Sequence, residues 1–268
     1  QTIENVLPLG NQFLTEVKVK NPVLWDVDSP NLYTCELTIN ADGQTLTAEE
    51  RFGFRHTEFK DKGPFFLNGR RLLLQGTHRH EDHAGVAQAM TEDMMRTEMQ
   101  LMKDMGVNFI RLGHYQQSDI ILQLCDSLGI LVWEEIPWCR GGLGGPVYKE
   151  QARRMLANMI DQHHNHPAVI IWGLGNENDW PNDFSEFDKG AIRTFMKELH
   201  DLAHRLDDTR MTAIRRCEFC SDIVDVYSPS IWAGWYRGVF TDYKSVSEQE
   251  MQKVKHFLHV EWGGDSHA

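Results

Sequence analysis

The sequence predicts an α/β protein in which a (β/α) barrel follows the end of an all-β module. Residues 1–62 contain short segments in which polar and apolar residues alternate, as in strands with one buried face. From residue 63 onward, short apolar segments alternate with amphipathic helical segments, which is typical of parallel strands and their crossover helices. The predicted parallel strands lie mostly about 20–40 residues apart, and that spacing suits a barrel.

The strands of the N-terminal part are predicted from alternation and from turn residues. Alternating segments occupy residues 13–19, 32–39 and 45–54, and a tight turn at 41–43 joins the last two into a hairpin. Three or four strands are fewer than a complete sandwich contains, so we interpret this part as the end of an all-β module. The turn-forming residues 61–64 mark its boundary with the barrel.

Seven parallel strands are predicted in the second part. Apolar residues between them recur at three- and four-residue spacing, which predicts amphipathic helices; Met95, Met99, Met102 and Met105 are one example. A closed barrel has eight strands, so the sequence predicts a barrel that is truncated after the seventh. The predicted strands occupy residues 72–76, 107–112, 130–134, 169–174, 211–214, 223–227 and 257–261.

Composition limits the classes of protein and partner that need to be considered. The chain has 268 residues, of which 41% are hydrophobic, and this is enough for a sizeable core. A formal net charge of -12 argues against nucleic acid as a partner, because phosphate binding needs clustered Lys and Arg. The sequence has no apolar run of about 18 residues, so no membrane span is expected. Five cysteines are an odd number, which disfavours a disulfide scaffold and leaves the compartment open.

Polar and aromatic residues gather at the carboxyl ends of the predicted strands, where barrel enzymes carry their functional groups. Because sugar rings stack on aromatic side chains and sugar hydroxyls bond to polar groups, this composition predicts a carbohydrate site. Residues 78–83 also contain His, Glu and Asp side chains as closely spaced as in a metal site, but sugar binding explains these histidines better than zinc binding does. The set comprises His78, His80, Arg111, His114, Glu134, Glu135, Asn176, Glu177, Trp232, Tyr236, Glu261 and Trp262.

Two carboxylates stand out by their position. Glu177 and Glu261 follow the fourth and seventh predicted strands, so they would face each other across the barrel axis. Glycoside hydrolysis needs one acid that protonates the leaving oxygen and one carboxylate that attacks or activates water. The alternative is that each is a solvated loop carboxylate, and spacing alone leaves both interpretations open.

Several segments resemble family 2 glycoside hydrolases, the family of β-galactosidases, β-glucuronidases and β-mannosidases. Residues 165–177, Asn-His-Pro-Ala-Val-Ile-Ile-Trp-Gly-Leu-Gly-Asn-Glu, resemble the acid/base signature of that family. Residues 66–81 and 108–115 resemble its first and second barrel strands with their exits. Residues 24–33 and 52–55 resemble the immunoglobulin-like sandwich that precedes the barrel. The resemblance covers nearly the whole chain in the family's order.

The resemblance implies both the domains and the mechanism. Residues 1–62 would be the C-terminal part of an immunoglobulin-like sandwich, and 63–268 a TIM-barrel domain without its last β/α unit. Hydrolysis would be retaining, with Glu177 as acid/base and Glu261 as nucleophile, about 5–5.5 Å apart. We expect the pKa of Glu177 to be raised by burial and by the negative charge of Glu261, because the acid must be protonated when substrate binds.

The resemblance also implies roles for residues around these two glutamates. Asn176 would bond the sugar 2-hydroxyl, and Arg111 would hold the nucleophile ionised. His80 and His114 resemble histidines that contact the sugar. The aromatic side chains Trp232, Tyr236 and Trp262 are predicted to complete the substrate site.

Three departures from the family pattern bear on the site. Trp232 stands where relatives commonly have a Tyr whose hydroxyl contacts the nucleophile, and Ser230 stands where the family usually has Asn. Cys139 and Gly141 occupy the positions of the magnesium ligands of the best-known β-galactosidases. We therefore predict no magnesium there, and no metal or cofactor in the site.

These observations favour a retaining exo-β-glycosidase that acts on the non-reducing end of oligosaccharides, with β-galactosidase as the preferred hypothesis. The alternatives are a β-glucuronidase or β-mannosidase of the same family, or a sugar-binding fragment of a longer enzyme that does not hydrolyse its ligand. Glucuronidases recognise the sugar acid through Asn and Lys located beyond this C-terminus, so that the sequence does not separate these sugars. Enzymes of this family are often homo-oligomers, and the sequence identifies no interface.

Overall fold

The computed structural model describes residues 8–9, 12–13, 15–182 and 186–262. The N-terminal part consists of antiparallel strands: the first six form three pairs in chain order, and the next three form one sheet. The predicted hairpin is confirmed, whereas the predicted strand 13–19 is wrong over residues 15–19, which carry no strand. The strands are β1 Pro8–Leu9, β2 Gln12–Phe13, β3 Trp25–Asp26, β4 Ser29–Pro30, β5 Tyr33–Ala41, β6 Gln44–Phe52, β7 Thr57–Phe59, β8 Phe65–Leu67 and β9 Arg70–Leu72.

Two side chains fasten this N-terminal part to the barrel. Trp25 is fully buried, and its indole Nε1 donates to the backbone carbonyl of Asp126, at 2.8 Å. Arg55 donates to the carbonyls of Pro167 and Val169, both at 2.6 Å. These bonds satisfy backbone carbonyls at the amino-terminal end of the barrel sheet, opposite the edge where functional residues are expected.

Six parallel strands in sequential order form the described part of the barrel sheet. Strands with continuous apolar sequences, such as Val169–Asn176, are buried along their whole length, as expected for a parallel sheet covered on both faces. Each neighbouring pair is joined through a helix or an irregular connection, so all strands run in the same direction. The strands are β10 Gly76–Arg79, β11 Phe109–Leu112, β12 Leu131–Glu135, β13 Val169–Asn176, β14 Met211–Arg215 and β15 Val226–Ser228.

The first and last predicted barrel strands differ from the structure. The first runs from Gly76 to Arg79 and not over residues 72–76, since Leu72 is the last residue of β9. A side chain at Gly76 would lie 1.6 Å from the carbonyl oxygen of Phe109, so only glycine permits the approach of the two strands at this point. The predicted strand 257–261 is absent from the described residues: Phe257 makes a single parallel bridge to Tyr227, and the ladder does not continue. The segment still runs beside β15, because the Val260 N–H donates to the Ser228 hydroxyl.

The described part of the chain contains five α-helices, and all but the last bury apolar residues. Caps define several ends: the Thr91 hydroxyl accepts from the Met94 N–H, and Gly129 ends the second helix in the left-handed conformation. The predicted methionine stripe is buried at Met95 and Met99 and exposed at Met105. None of the described helices is both long and apolar enough to span a bilayer. The helices are α1 Glu92–Asp104, α2 Asp119–Leu128, α3 Pro146–His163, α4 Lys189–Leu206 and α5 Tyr243–Lys253, with short 3₁₀ turns at Glu218–Cys220 and Phe240–Asp242.

Candidate active site

A buried arginine organises the carboxyl end of the sheet. Arg111, on β11, is completely buried and makes two hydrogen bonds to Glu135, at 2.9 and 3.0 Å. Its third nitrogen donates to Glu261, at 2.8 Å, and the Nη2 atom also donates to the Asn176 amide oxygen, at 2.8 Å. This guanidinium therefore joins residues from three separate segments of the chain, and it lies against Glu261 as expected, while its predicted role toward the nucleophile stays a prediction.

Glu135 is the anionic partner of Arg111 and is itself fully buried. Burial raises the pKa of this carboxyl, but the charge of Arg111 and the hydrogen bond from His114 outweigh it and lower the pKa. The neighbouring Glu134 points to the opposite face of the strand and bonds to His163 of α3, at 2.8 Å. Burial is the main cause that raises the pKa of Glu134. Of the two adjacent glutamates, only Glu135 belongs to the site.

Arg215, at the end of β14, connects the two glutamates that were predicted to be catalytic. Its Nη1 atom donates to Glu177 Oε1, at 2.6 Å, and its Nη2 atom lies 2.8 Å from Glu261 Oε1. The Arg215 side chain is 1% exposed, whereas Glu177 and Glu261 are 15% and 34% exposed, so a buried cation holds two carboxylates that solvent and substrate can reach. One guanidinium thus contacts both carboxylates, although Glu177 and Glu261 are 84 positions apart in the sequence.

The electrostatics of Glu177 differ from the prediction. Burial raises its pKa as expected, but Arg215 and Arg216 donate to the carboxylate and lower the pKa below its ordinary value. The predicted rise in the pKa of Glu177 is therefore wrong for this structure, since two arginines outweigh burial. Arg140 lies 3.6 Å from the same carboxylate. Glu177 has a φ of 54°, and its N–H donates to the Arg215 carbonyl, which turns the chain out of β13 at this residue.

Three histidines line one side of the site. The rings of His78, His80 and His114 lie with their centroids 4.6–5.1 Å apart. Burial, followed by the nearby charge of Arg111, lowers the pKa of His78 to about 2, and burial also lowers the pKa of His80. Both rings are therefore neutral at pH 7 and can bond to sugar hydroxyls as donors or acceptors.

Ligand atoms of these three histidines lie within 4.8 Å of one another, which is close enough to consider a metal. Arg111 Nη2, however, is 3.2 Å from His114 Nδ1, and that nitrogen is also 2.7 Å from Glu135. A guanidinium this close repels a cation. The arrangement favours the predicted carbohydrate contacts over zinc.

Asn176 lies in the same network as predicted. It is 3% exposed, accepts a hydrogen bond from Arg111 and donates from Nδ2 to the Cys139 sulfur, at 3.4 Å. Cys139 is the residue at the position of a magnesium ligand in the family, and here it supports an amide side chain.

Of the three aromatic residues predicted to contact substrate, Trp232 lies beside the site, Tyr236 packs against Trp232, and Trp262 lies elsewhere. Trp232 is half-buried. The Arg216 guanidinium lies 5.2 Å from the Trp232 ring centroid and 4.9 Å from that of Trp180. Since Arg216 also donates to Glu177, at 3.3 Å, these contacts place Trp232 beside the site. Tyr236 is 70% exposed and packs on the outer side of Trp232, at 5.4 Å.

Trp262 was also predicted to contact substrate. It is 64% exposed and lines a cavity of about 470 Å³ beside β10, together with Thr77 and Phe109. This cavity is not formed by the network of arginines and carboxylates. The structure therefore does not bring Trp262 against Arg111 or Arg215 in the part of the chain that it describes.

Three residues of the site were missed or left undecided by the sequence analysis. Arg215 and Arg216 directly follow the fifth predicted strand, so the rule that strand ends carry functional groups could have identified them. Glu135 was considered together with Glu134, and the alternation of side chains along a strand separates the two only when the inward face is known.

Comparison with known proteins identifies the class to which this fold and site belong. Residues 58–268 match the family described as "Glycosyl hydrolases family 2, TIM barrel domain", and residues 2–55 match "Glycosyl hydrolases family 2". The chain belongs to glycoside hydrolase family 2. The predicted family, the α/β class and the barrel are thereby confirmed.

Three individual relatives show how similar the chain is to particular members of this family. The chain superposes on the β-glucuronidase of Parabacteroides merdae with a TM-score of 0.96 and 86% identity, over 100% of this chain and 34% of that one. The similarity to β-glucuronidase 3 of Bacteroides uniformis is 69% identity, with a TM-score of 0.91 over 93% of this chain and 32% of that one. A β-galactosidase of Thermoanaerobacterium thermosulfurigenes is 35% identical over 212 residues, 78% of this chain and 28% of that protein. The chain thus spans about a third of the length of its relatives.

Proposed function

We propose that the protein containing this chain is a retaining β-glucuronidase, which releases terminal β-linked glucuronic acid from glycosides. The sequence analysis preferred a β-galactosidase and kept β-glucuronidase as an alternative. The alternative is better supported, because the two solved structures described above are both β-glucuronidases and share 86% and 69% identity with the chain. The β-galactosidase relative shares 35%.

The geometry that carries the proposed chemistry is the contact of one guanidinium, Arg215, with both Glu177 and Glu261. A retaining mechanism needs two carboxyl groups about 5–5.5 Å apart, one on each side of the scissile bond. Two carboxylates that share one arginine are held close together, which is compatible with that requirement. Solvated loop carboxylates, the alternative interpretation, would not share a buried cation.

The proposed reaction has two displacements. Glu261 attacks the anomeric carbon while Glu177 gives its proton to the glycosidic oxygen, so that the aglycone leaves as a neutral alcohol and a glycosyl ester forms on Glu261. Glu177 then removes a proton from water, which attacks the anomeric carbon and releases Glu261 as a carboxylate. Arg111 and Arg215 hold the Glu261 carboxylate in place for attack, because each lies 2.8 Å from one of its oxygens.

Glu177 must carry a proton in the first step, although Arg215 and Arg216 lower its pKa in this structure. We propose that the substrate weakens these contacts as the leaving oxygen takes the hydrogen-bonding position next to Glu177. Trp232 and Arg216 lie on this side of the site, so the leaving group would pass over them.

Hydrolysis of a panel of nitrophenyl glycosides by the full-length protein tests the proposal. We expect cleavage of the β-glucuronide and little of the β-galactoside or β-mannoside. Glu177→Ala should lose activity on natural glycosides and regain part of it with azide, and Glu261→Gln should lose it with the fold intact by circular dichroism. Preferential cleavage of the β-galactoside would refute the sugar assignment, and full activity in either variant would refute the roles of the glutamates. Binding of sugar without cleavage would support the non-hydrolytic alternative.

A further inference from the structure

A second cluster of metal-ligating side chains lies on the outside of the barrel. His200 and His204 are one turn apart on α4, so their rings project from the same face of the helix. Asp225, which directly precedes β15, faces them from the neighbouring connection. One ligand atom from each of the three residues lies within 4.8 Å of the other two.

The distances within this cluster are close to those of a metal site. His204 Nε2 lies 2.8 Å from Asp225 Oδ2, and the two imidazole rings have their centroids 4.6 Å apart. Zinc binds imidazole nitrogen and carboxylate oxygen at about 2.0–2.2 Å in a tetrahedral arrangement, which places ligand atoms about 3.3 Å from one another. Side-chain movements on the order of 1 Å would bring all three atoms to that spacing.

Neighbouring groups already orient two of the three ligands. The Thr212 hydroxyl lies 2.7 Å from His200 Nδ1, which leaves the Nε2 atom of that ring for a ligand. Asp225 Oδ2 accepts from the Thr212 N–H, at 2.8 Å. Metal-binding histidines usually bond through their second nitrogen to an oxygen, and such outer contacts fix the ring for coordination.

Charge and access also favour a cation here. The side chains of His204 and Asp225 are 33% and 28% exposed, so an ion can reach them from solvent. Lys197, which lies about one turn before His200 on the same helix, is paired with both oxygens of Asp201, at 2.8 Å. The three active-site histidines differ in this respect, because the Arg111 guanidinium stands against them.

We propose that His200, His204 and Asp225 form a binding site for Zn²⁺ or a similar divalent transition-metal ion, with solvent completing the coordination. Two imidazoles one helical turn apart and a carboxylate are a donor set that suits Zn²⁺. The site lies between α4 and the connection into β15, away from Glu177 and Glu261. A bound ion would link these two elements and stabilise the folded state without taking part in hydrolysis.

The test is a titration of chelator-treated, full-length protein with Zn²⁺ alone, followed by calorimetry and by thermal unfolding. The wild-type protein should bind one equivalent of Zn²⁺ that the His200→Ala/His204→Ala variant does not bind, and the melting temperature should rise with Zn²⁺ only in the wild type. His204→Gln, which keeps a hydrogen-bonding group opposite Asp225, should weaken binding at least about tenfold. His56→Ala removes an exposed histidine outside the cluster and serves as the matched control.

The outcomes separate the proposal from its alternatives. Loss of one equivalent in the double variant, with unchanged hydrolysis of the preferred glycoside, would support it. The same Zn²⁺ stoichiometry and affinity in wild type, double variant and His204→Gln would overturn it, as would the absence of Zn²⁺ binding in the wild type. If the double variant does not fold, the comparison of His204→Gln with His56→Ala decides the question. This experiment does not depend on which sugar the enzyme hydrolyses.

Discussion

Replacement of Arg111 by Leu tests how the buried network of the site is held together. In the wild type, the guanidinium is 0% exposed and satisfies Glu135 through two hydrogen bonds and Glu261 through a third. Arg111→Leu keeps an apolar side chain in the sheet but leaves the fully buried Glu135 without its cation. The variant therefore removes the cation from this buried network, and the main cost is expected from Glu135, the fully buried carboxyl group that loses its charged partner.

The expected loss of stability is large. Removal of one partner of a buried ion pair costs about 3–5 kcal/mol, because the remaining charge stays desolvated. A domain of this size changes its melting temperature by about 2–4 °C per kcal/mol, so we expect a decrease of about 6–20 °C. The double variant Arg111→Leu/Glu135→Leu removes both charges, and it should recover most of the stability, since apolar replacement of a whole pair is often nearly neutral.

The pH dependence gives an independent check. In the wild type, Arg111 and His114 lower the pKa of Glu135, so the stability from this group is present above the unfolded value of about 4.3 and is lost only as pH falls through the lowered pKa. In Arg111→Leu, burial dominates and raises that pKa. The unfolded chain then loses the proton first, and the variant loses stability as pH rises above about 4.3.

Urea or thermal unfolding of the wild type, the single variant and the double variant at pH 4.5 and 7.5 measures these effects. The difference between wild type and Arg111→Leu should be greater at pH 7.5. The reasoning would be refuted if the single variant were as stable as the wild type, or if the double variant were no more stable than the single one at either pH.

Two further predictions concern the acid/base and the sheet. Arg216→Gln should raise the pKa of Glu177 and move the alkaline limb of the kcat/KM profile to higher pH, because one of the arginines that lower this pKa is removed; an unshifted limb would contradict it. Gly76→Ala should cost about 3 kcal/mol or more in the free energy of unfolding, because the new methyl group would lie 1.6 Å from the Phe109 carbonyl oxygen. The control Gly145→Ala, at the N-cap of α3 and with no atom within 4 Å of the added carbon, should change it by about 1 kcal/mol at most, and equal effects would be inconsistent with the proposed close approach.

Continuous apolar sequences made the central strands predictable. Most residues in 107–112, 130–134 and 169–174 are buried, as expected for strands of a parallel sheet covered by helices on both faces. The segment 257–261 has a similar composition but forms one bridge, since ladder formation depends on hydrogen-bonding partners that composition does not reveal. This segment therefore lacks a strand because it lacks pairing partners, and not because its residues disfavour a strand.

The sequence allowed the main residues of the site to be predicted, but not the pKa shifts that result from their contacts. Rules for strand ends identified Arg111, Asn176, Glu177 and Glu261, and the structure joins them through direct contacts. The lowered pKa of Glu177 could not be predicted from the sequence, because it depends on which arginines of the neighbouring strand reach the carboxylate. Spacing along the chain gives the order of the groups, whereas the sign of a pKa shift is decided by ångström-scale distances.

The contact of Arg215 with both glutamates has a consequence for the timing of proton transfer. In the proposed first step, Glu261 becomes an ester and loses its negative charge, so it no longer disfavours ionisation of Glu177. The Arg215 guanidinium keeps its positive charge beside Glu177, and this favours the carboxylate form at the stage when Glu177 must accept a proton from water. When the ester is hydrolysed, the charge on Glu261 returns and again favours protonation of Glu177. The change of Glu177 from acid to base would thus follow the covalent state of its neighbour, without any movement of the backbone.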